Sequence, residues 1–112
     1  MKINIQTLSF HASPHLIEFA ENKINKITHY NDMVMEAQLT LKVDRSGAKN
    51  NKVCDIRLVV PGNDIYASKR RDSFEAAILE AIEAVKQPLL RWKKQNEKNS
   101  LNNISSPGDL EL

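Results

Sequence analysis

Residues 35–43 alternate without a break. Met35, Ala37, Leu39, Leu41 and Val43 fall on one side, and Glu36, Gln38, Thr40 and Lys42 on the other. A period of two over that length marks a β-strand with one buried face. Such a strand constrains the whole chain, because it needs neighbours with matching apolar faces and a layer to cover them. The neighbours are visible. Residues 2–8 place Ile3 and Ile5 opposite Lys2, Asn4 and Gln6. Residues 53–60 turn Cys54, Ile56, Leu58 and Val60 inward, with Asp55 and Arg57 outward. A short fourth strand, 65–69, points Ile65 and Ala67 inward. The polar stretch 44–51 around Gly47 and the run Pro61-Gly62-Asn63-Asp64 supply turn chemistry between them.

The covering layer comes from two helical stripes. Ser13-Pro14 reads as a helix start, Ser13 accepting from an orphan N–H and Pro14 filling the first helical position. Leu16, Ala20, Ile24 and Ile27 then share a stripe flanked by Ile17, Phe19 and Tyr30, and Asn31-Asp32 marks its end. A second helix opens at Asp72, with Glu75 three residues later completing a capping-box-like pair. Its stripe is Phe74, Ile78, Ala81, Ile82, Val85, Leu89 and Trp92. Pro88 interrupts the hydrogen bonding but not the phase of that stripe, so the expectation is a kinked helix to about residue 95, with a break at Pro88 as the alternative.

The element order is therefore β-α-β-β-β-α, an α+β domain over residues 1–97 with a flexible C-terminal tail at 98–112. The first helix is a crossover, which allows strands one and two to pair in parallel. The next three strands form an antiparallel meander. With one apolar face per strand, both helices belong on the same side of a four-stranded sheet, leaving the other side wet.

Several function classes find no support. Cys54 is the single cysteine of the 112 residues, so neither an intrachain disulfide nor a cysteine-based zinc site is expected. No signal-peptide-like apolar stretch follows Met1-Lys2, and no apolar run approaches membrane-span length, which together read as cytoplasmic. His11, His15 and His29 lack ligand spacing on a common face, and no glycine-rich phosphate loop follows a strand. Catalysis, a metal and a cofactor are not expected.

Charge placement says more than the formal net charge of +2. Residues 86–98 hold Lys86, Arg91, Lys93, Lys94 and Lys98 against Glu97 alone, whereas residues 99–112 carry only Asp109 and Glu111. Cations near a helix C-terminus suit the macrodipole, so that cluster has a bland explanation as well as a functional one. Lys69-Arg70-Arg71, read as a loop before a helix N-terminus, opposes the dipole; phosphate binding accounts for it better. Lys23 falls inside the apolar arc of the first helix, with Lys26 at its edge. Either the stem snorkels or the ammonium is aimed at an RNA backbone. Lys42 and Arg57, on the wet sheet face, are open to both readings.

The ordered set of segments resembles the ribosome hibernation promoting factor family, also called ribosome-associated inhibitor or sigma-factor modulation protein, in its short form. The resemblance covers about residues 1–95. It rests on the run from Phe19 through Ala20, Glu21, Asn22, Lys23, Ile24, Asn25 and Lys26 to Ile27 with Tyr30 following, on Leu41-Lys42-Val43, on Ile65-Tyr66-Ala67-Ser68, and on Ala76-Ala77-Ile78. It implies a fold similar to double-stranded-RNA-binding domains. It also implies a cytoplasmic translation inhibitor that binds the small ribosomal subunit and its 16S rRNA, or whole 70S ribosomes, in the mRNA/tRNA channel near the decoding site and keeps ribosomes idle under stress or in stationary phase. A monomer in solution is expected. Lys23, Lys26, Arg91 and Lys93 carry over by position; Lys86 and Lys94 are neighbours, and Lys69, Arg70 and Arg71 are this chain's own. Where the family has Asp-x-Tyr-Ala-Ala-Ile-Asp, this chain has Ser73-Phe74-Glu75-Ala76-Ala77-Ile78-Leu79, and Pro88 is atypical. The competing reading from the residues alone is a generic duplex-RNA-binding module acting away from the ribosome.

Overall fold

A computed structural model describes residues 2–29, 33–44 and 49–105, with the backbone alone for 28, 29 and 96–105. The strands are β1 (Lys2–Leu8), β2 (Glu36–Val43), β3 (Lys52–Val60) and β4 (Asn63–Arg71); the helices are α1 (Pro14–Asn25), continued by a 3-10 turn at Lys26–His29, and α2 (Phe74–Ser105). The sheet order is β1-β2-β3-β4. β1 runs parallel to β2, and the other pairs are antiparallel. The order β-α-β-β-β-α and the parallel first pair are those the alternation and the crossover helix dictate.

The central inward strand positions feed one core. Ala37, Leu39 and Leu41 of β2, Cys54, Ile56, Leu58 and Val60 of β3, and Ile65 of β4 are buried against Leu16, Ala20, Ile24 and Ile27 from the first helical segment and Ala77, Ile78, Ala81, Val85 and Leu89 from α2. α1 packs on β1 and on α2, while α2 packs on β3 and β4. Both helices thus lie on one side of the sheet. Met35 precedes the paired register of β2 and is 54% exposed, unlike the inward residues that follow it. Val53 is buried although its parity puts it on the open face. It stands in register between Lys42 and Arg70, whose aliphatic stems can shield a neighbour.

The helix starts differ in one detail from expectation. Ser13 caps α1 as expected, its side chain accepting from the Leu16 N–H. On α2 the cap is Ser73, not Asp72: Ser73 Oγ accepts from Ala76 N–H at 3.2 Å, and its carbonyl accepts from Ala77 N–H. Asp72 lies one residue too early for that reach. α2 continues through Pro88 to Ser105, past the expected end near residue 95, so residues 98–105 of the expected tail are helical. The stripe that stays in phase across Pro88 explains the continuity, since Val85, Leu89 and Trp92 are all buried on the same side. Two strand limits also move. The β3–β4 turn contracts to Pro61-Gly62, with Gly62 at φ +76°, and β4 extends to Arg71. Tyr30, Asn31, Asp32 and Gly47 lie outside the described residues, as does the end of the tail.

Candidate nucleic-acid interface

The extension of β4 redistributes the basic run 69–71. These residues form a strand end, not a loop, so they alternate between faces. Arg70 shares the open-face parity of Tyr66 and Ser68 and is bonded to Asp44. Arg71 lies on the helix side, 3.5 Å from Glu80 of α2. Lys69 is half-buried in register with Cys54. Residues 69–71 are thus not a cationic loop before the helix, and each arginine has a carboxylate beside it.

The open sheet face is charge-paired in the same way. Lys42 Nζ lies 3.2 Å from Asp55. Arg57 Nε donates to Asp64 at 2.9 Å, and Ser68 Oγ is hydrogen-bonded to Asp55. Exposed pairs of this kind contribute about 0–1 kcal/mol each. Their larger effect is on potential: Lys42, Arg57 and Arg70 are each neutralised by a carboxylate within the face.

The helix side is different. Lys23, Lys26 and Lys86 line one groove between α1 and α2, together with Leu79, Ile82 and Glu83, with a cavity volume of about 270 Å³. α1 presents its lysines there because its buried stripe of Leu16, Ala20 and Ile24 leaves Lys23 at the margin facing α2. Lys23 Nζ sits 5.4 Å from the centroid of Phe19, an arrangement that holds the ammonium over an aromatic face. Lys86 Nζ is 2.8 Å from Glu83, one turn back on the same helix. Among the described residues lining the groove, three ammonium groups stand against one carboxylate, and an exposed i,i+3 pair is a weak one.

The remaining cations of α2 divide around its axis. Lys93 follows Lys86 by two turns, on the same flank. Arg91 lies on the opposite flank, in a cleft of about 330 Å³ against the start of β4, whose polar lining includes Asn63, Asp64 and Gln95. Lys94 is exposed between the two. Of the nine basic residues expected to form one surface, the structure gathers Lys23, Lys26 and Lys86, sets Arg91 across the helix from them, and leaves Lys69, Arg70 and Arg71 near the start of α2. The polar lining that Asn63, Asp64 and Gln95 give the Arg91 cleft escaped the charge-based reading.

The Cys54 thiol is pushed up to about 12, first by burial and then by the charge of Asp55. It is thus poorly suited to act as a thiolate nucleophile. Among the described residues no cluster of three or more His, Cys, Asp or Glu could hold a metal ion. No described helix is long and apolar enough to cross a membrane.

Fold and site together define a class: a one-sided α+β domain with a lysine-lined groove between its helices. Residues 3–97 match the family described as sigma 54 modulation protein / S30EA ribosomal protein, and the chain belongs to that family. It is 28% identical over 101 residues to a ribosome hibernation promotion factor of Deinococcus radiodurans, covering 85% of this chain and 52% of that protein. The chain thus spans about half the length of that relative. It is 27% identical over 93 residues to a ribosome hibernation promoting factor of Klebsiella oxytoca, covering 83% and 94%. Among solved structures, a ribosomal subunit interface protein from Coxiella burnetii superposes with a TM-score of 0.74 at 21% identity, covering 84% of this chain and 99% of that one. The N-terminal domain of Thermus thermophilus Protein Y does so with a TM-score of 0.70 at 18% identity, covering 82% and 99%. These two likenesses establish the fold.

Proposed function

We propose that this chain is a ribosome-associated translation inhibitor. It docks on the 16S rRNA of the small subunit, in the mRNA/tRNA channel near the decoding site, and keeps ribosomes idle under stress or in stationary phase. The observation that carries the reading is the groove in which Lys23, Lys26 and Lys86 converge. The names of the two curated relatives, both ribosome hibernation factors, supply the partner.

The mechanism is steric. Ammonium groups of the groove bind phosphates of the rRNA backbone, and the folded domain occupies space that mRNA and tRNA would use. RNA duplexes offer phosphates and 2′-hydroxyls across a shallow groove, so distributed cations on a rigid pair of helices suffice. The paired charges of the open sheet face make that face the poorer candidate for phosphate contact.

Co-sedimentation with purified ribosomes and small subunits at low salt tests the reading. The wild type pellets with both. Lys23→Glu combined with Lys86→Glu weakens association by about a hundredfold, two charge-assisted contacts being lost at roughly 1.5 kcal/mol each, while circular dichroism stays unchanged. A wild-type protein that remains in the supernatant at low salt refutes the proposal. Equal affinity for ribosomes and for an arbitrary RNA duplex would instead favour a generic duplex-binding module.

A further inference from the structure

The sheet has two edges, β1 and β4, and only one of them is guarded. β4 carries Asp64, Lys69, Arg70 and Arg71, charges of the kind that keep an edge from pairing with another chain. β1 carries Lys2 alone, followed by Ile3-Asn4-Ile5-Gln6-Thr7-Leu8, with neither proline nor glycine. Lys2 N–H donates to the Met35 carbonyl at 3.1 Å. That bond fixes the phase of the parallel ladder. Lys2, Asn4 and Gln6 turn their backbone groups toward β2, and Ile3, Ile5 and Thr7 turn theirs away from it. Among the described residues, nothing bonds these outer groups. The apolar layer is thin here too. Ile3 and Ile5 are half-buried, while Ala37 and Leu39, their register partners on β2, are fully covered.

We infer that β1 pairs antiparallel with β1 of a second copy of this chain, about a two-fold axis that passes by Ile5 normal to the sheet. The strand is complementary to itself in that register. Ile5 stands opposite its own copy, Ile3 opposite Thr7, and Asn4 opposite Gln6. Lys2 meets Leu8, so no like charges face each other. Pairs made by Ile3, Ile5 and Thr7 exchange two backbone bonds each, about six in all, which satisfies every outer group of the edge. The isoleucines gain cover on the helix side, and the amides of Asn4 and Gln6, each donor and acceptor, can bond across the open face. The axis keeps both helix layers on one side of the joined sheet, so the lysine groove of each copy stays open. The monomer that the family resemblance implies takes no account of this edge.

Sedimentation equilibrium of the full chain is the test. A strand-edge contact lies at the small end of protein–protein interfaces, so the working range is about 10 µM to about 1 mM. Over it the wild-type mass rises from 12.7 kDa toward twice that value, and the amide protons of Ile3, Ile5 and Thr7 exchange more slowly. Asn4 and Gln6 are exposed, so charges placed there leave the core undisturbed. Asn4→Lys with Gln6→Lys sets like charges opposite each other twice and weakens association about tenfold. Asn4→Lys with Gln6→Glu sets opposite charges at the same two places and restores it. A wild type that stays monomeric at about 1 mM overturns the inference. So does wild-type association of the Asn4→Lys, Gln6→Lys variant, or a failure of the Asn4→Lys, Gln6→Glu variant to associate more tightly than that one.

Discussion

Cys54 shows at one position how burial sets chemistry. Its thiol lies in the core between the sheet and α2, with a pKa raised from 9.0 to about 12. The neutral thiol is thus favoured in the folded state and the thiolate in the unfolded one. Below pH 9 both states hold the proton and stability does not depend on this group. Between about 9 and 12 the unfolded state loses a proton that the folded state keeps, so stability falls as pH rises, by roughly a factor of ten in the folding constant per unit. Urea unfolding at pH 8 and pH 10 should show the wild type losing more stability over that interval than Cys54→Ala, which lacks the group. Equal losses would show that the thiol is not shielded. For the same reason, iodoacetamide at pH 8 should leave the native thiol unmodified and label it in urea. The inward position of Cys54 was legible from alternation alone. The partners of Arg70 and Arg71 were not, because alternation alone says nothing of which carboxylates the fold brings beside them.

At the scale of elements, the sequence disclosed most where a period ran long. The alternation through β2 and β3 and the stripes of both helices mark most of the core residues, Met35 and Val43 excepted. Limits were less legible, since they are decided by cap geometry and pairing. Ser73 took the cap from Asp72 because its hydroxyl reaches the Ala76 N–H. β4 outran its apolar pattern because Lys52, Val53 and Cys54 were available to pair with Arg71, Arg70 and Lys69. Ladder partners can extend a strand through charged residues. The cap assignment is testable: Ser73→Ala should destabilise by about 1 kcal/mol, and Asp72→Ala by clearly less, measured by thermal or urea unfolding. The reverse order would restore Asp72 as the cap. Pro88 gives a second test. It removes an i→i−4 bond within a helix that nonetheless continues, so Pro88→Ala should raise stability by about 1–3 kcal/mol without changing the length of α2. A loss of stability would mean that a proline-induced bend is needed for Leu89 and Trp92 to reach the core.

The whole molecule is electrically two-sided, and this is what single residues could not reveal. Lys42, Arg57 and Arg70 look as available in the sequence as Lys23, Lys26 and Lys86. Folding gives the first three a carboxylate each, from Asp55, Asp64 and Asp44, through register and a hairpin closure that no local pattern announces. Among the described residues, the groove that the second three share is lined by one carboxylate, Glu83. Counterion release turns that asymmetry into a measurable slope. Each phosphate neutralised by a lysine contributes about one unit to the fall of log K with log salt. Ribosome association measured from 50 to 200 mM salt should therefore lose about two units of slope in the double variant Lys23→Ala, Lys86→Ala. It should keep its slope in Lys42→Ala, Arg57→Ala, although both doubles remove the same formal charge. A bulk electrostatic attraction would lower both slopes alike, because it depends on net charge and not on which side of the sheet carries it. Loss of slope only in the open-face double would turn the domain over on its target, with the sheet and not the helix pair against the RNA.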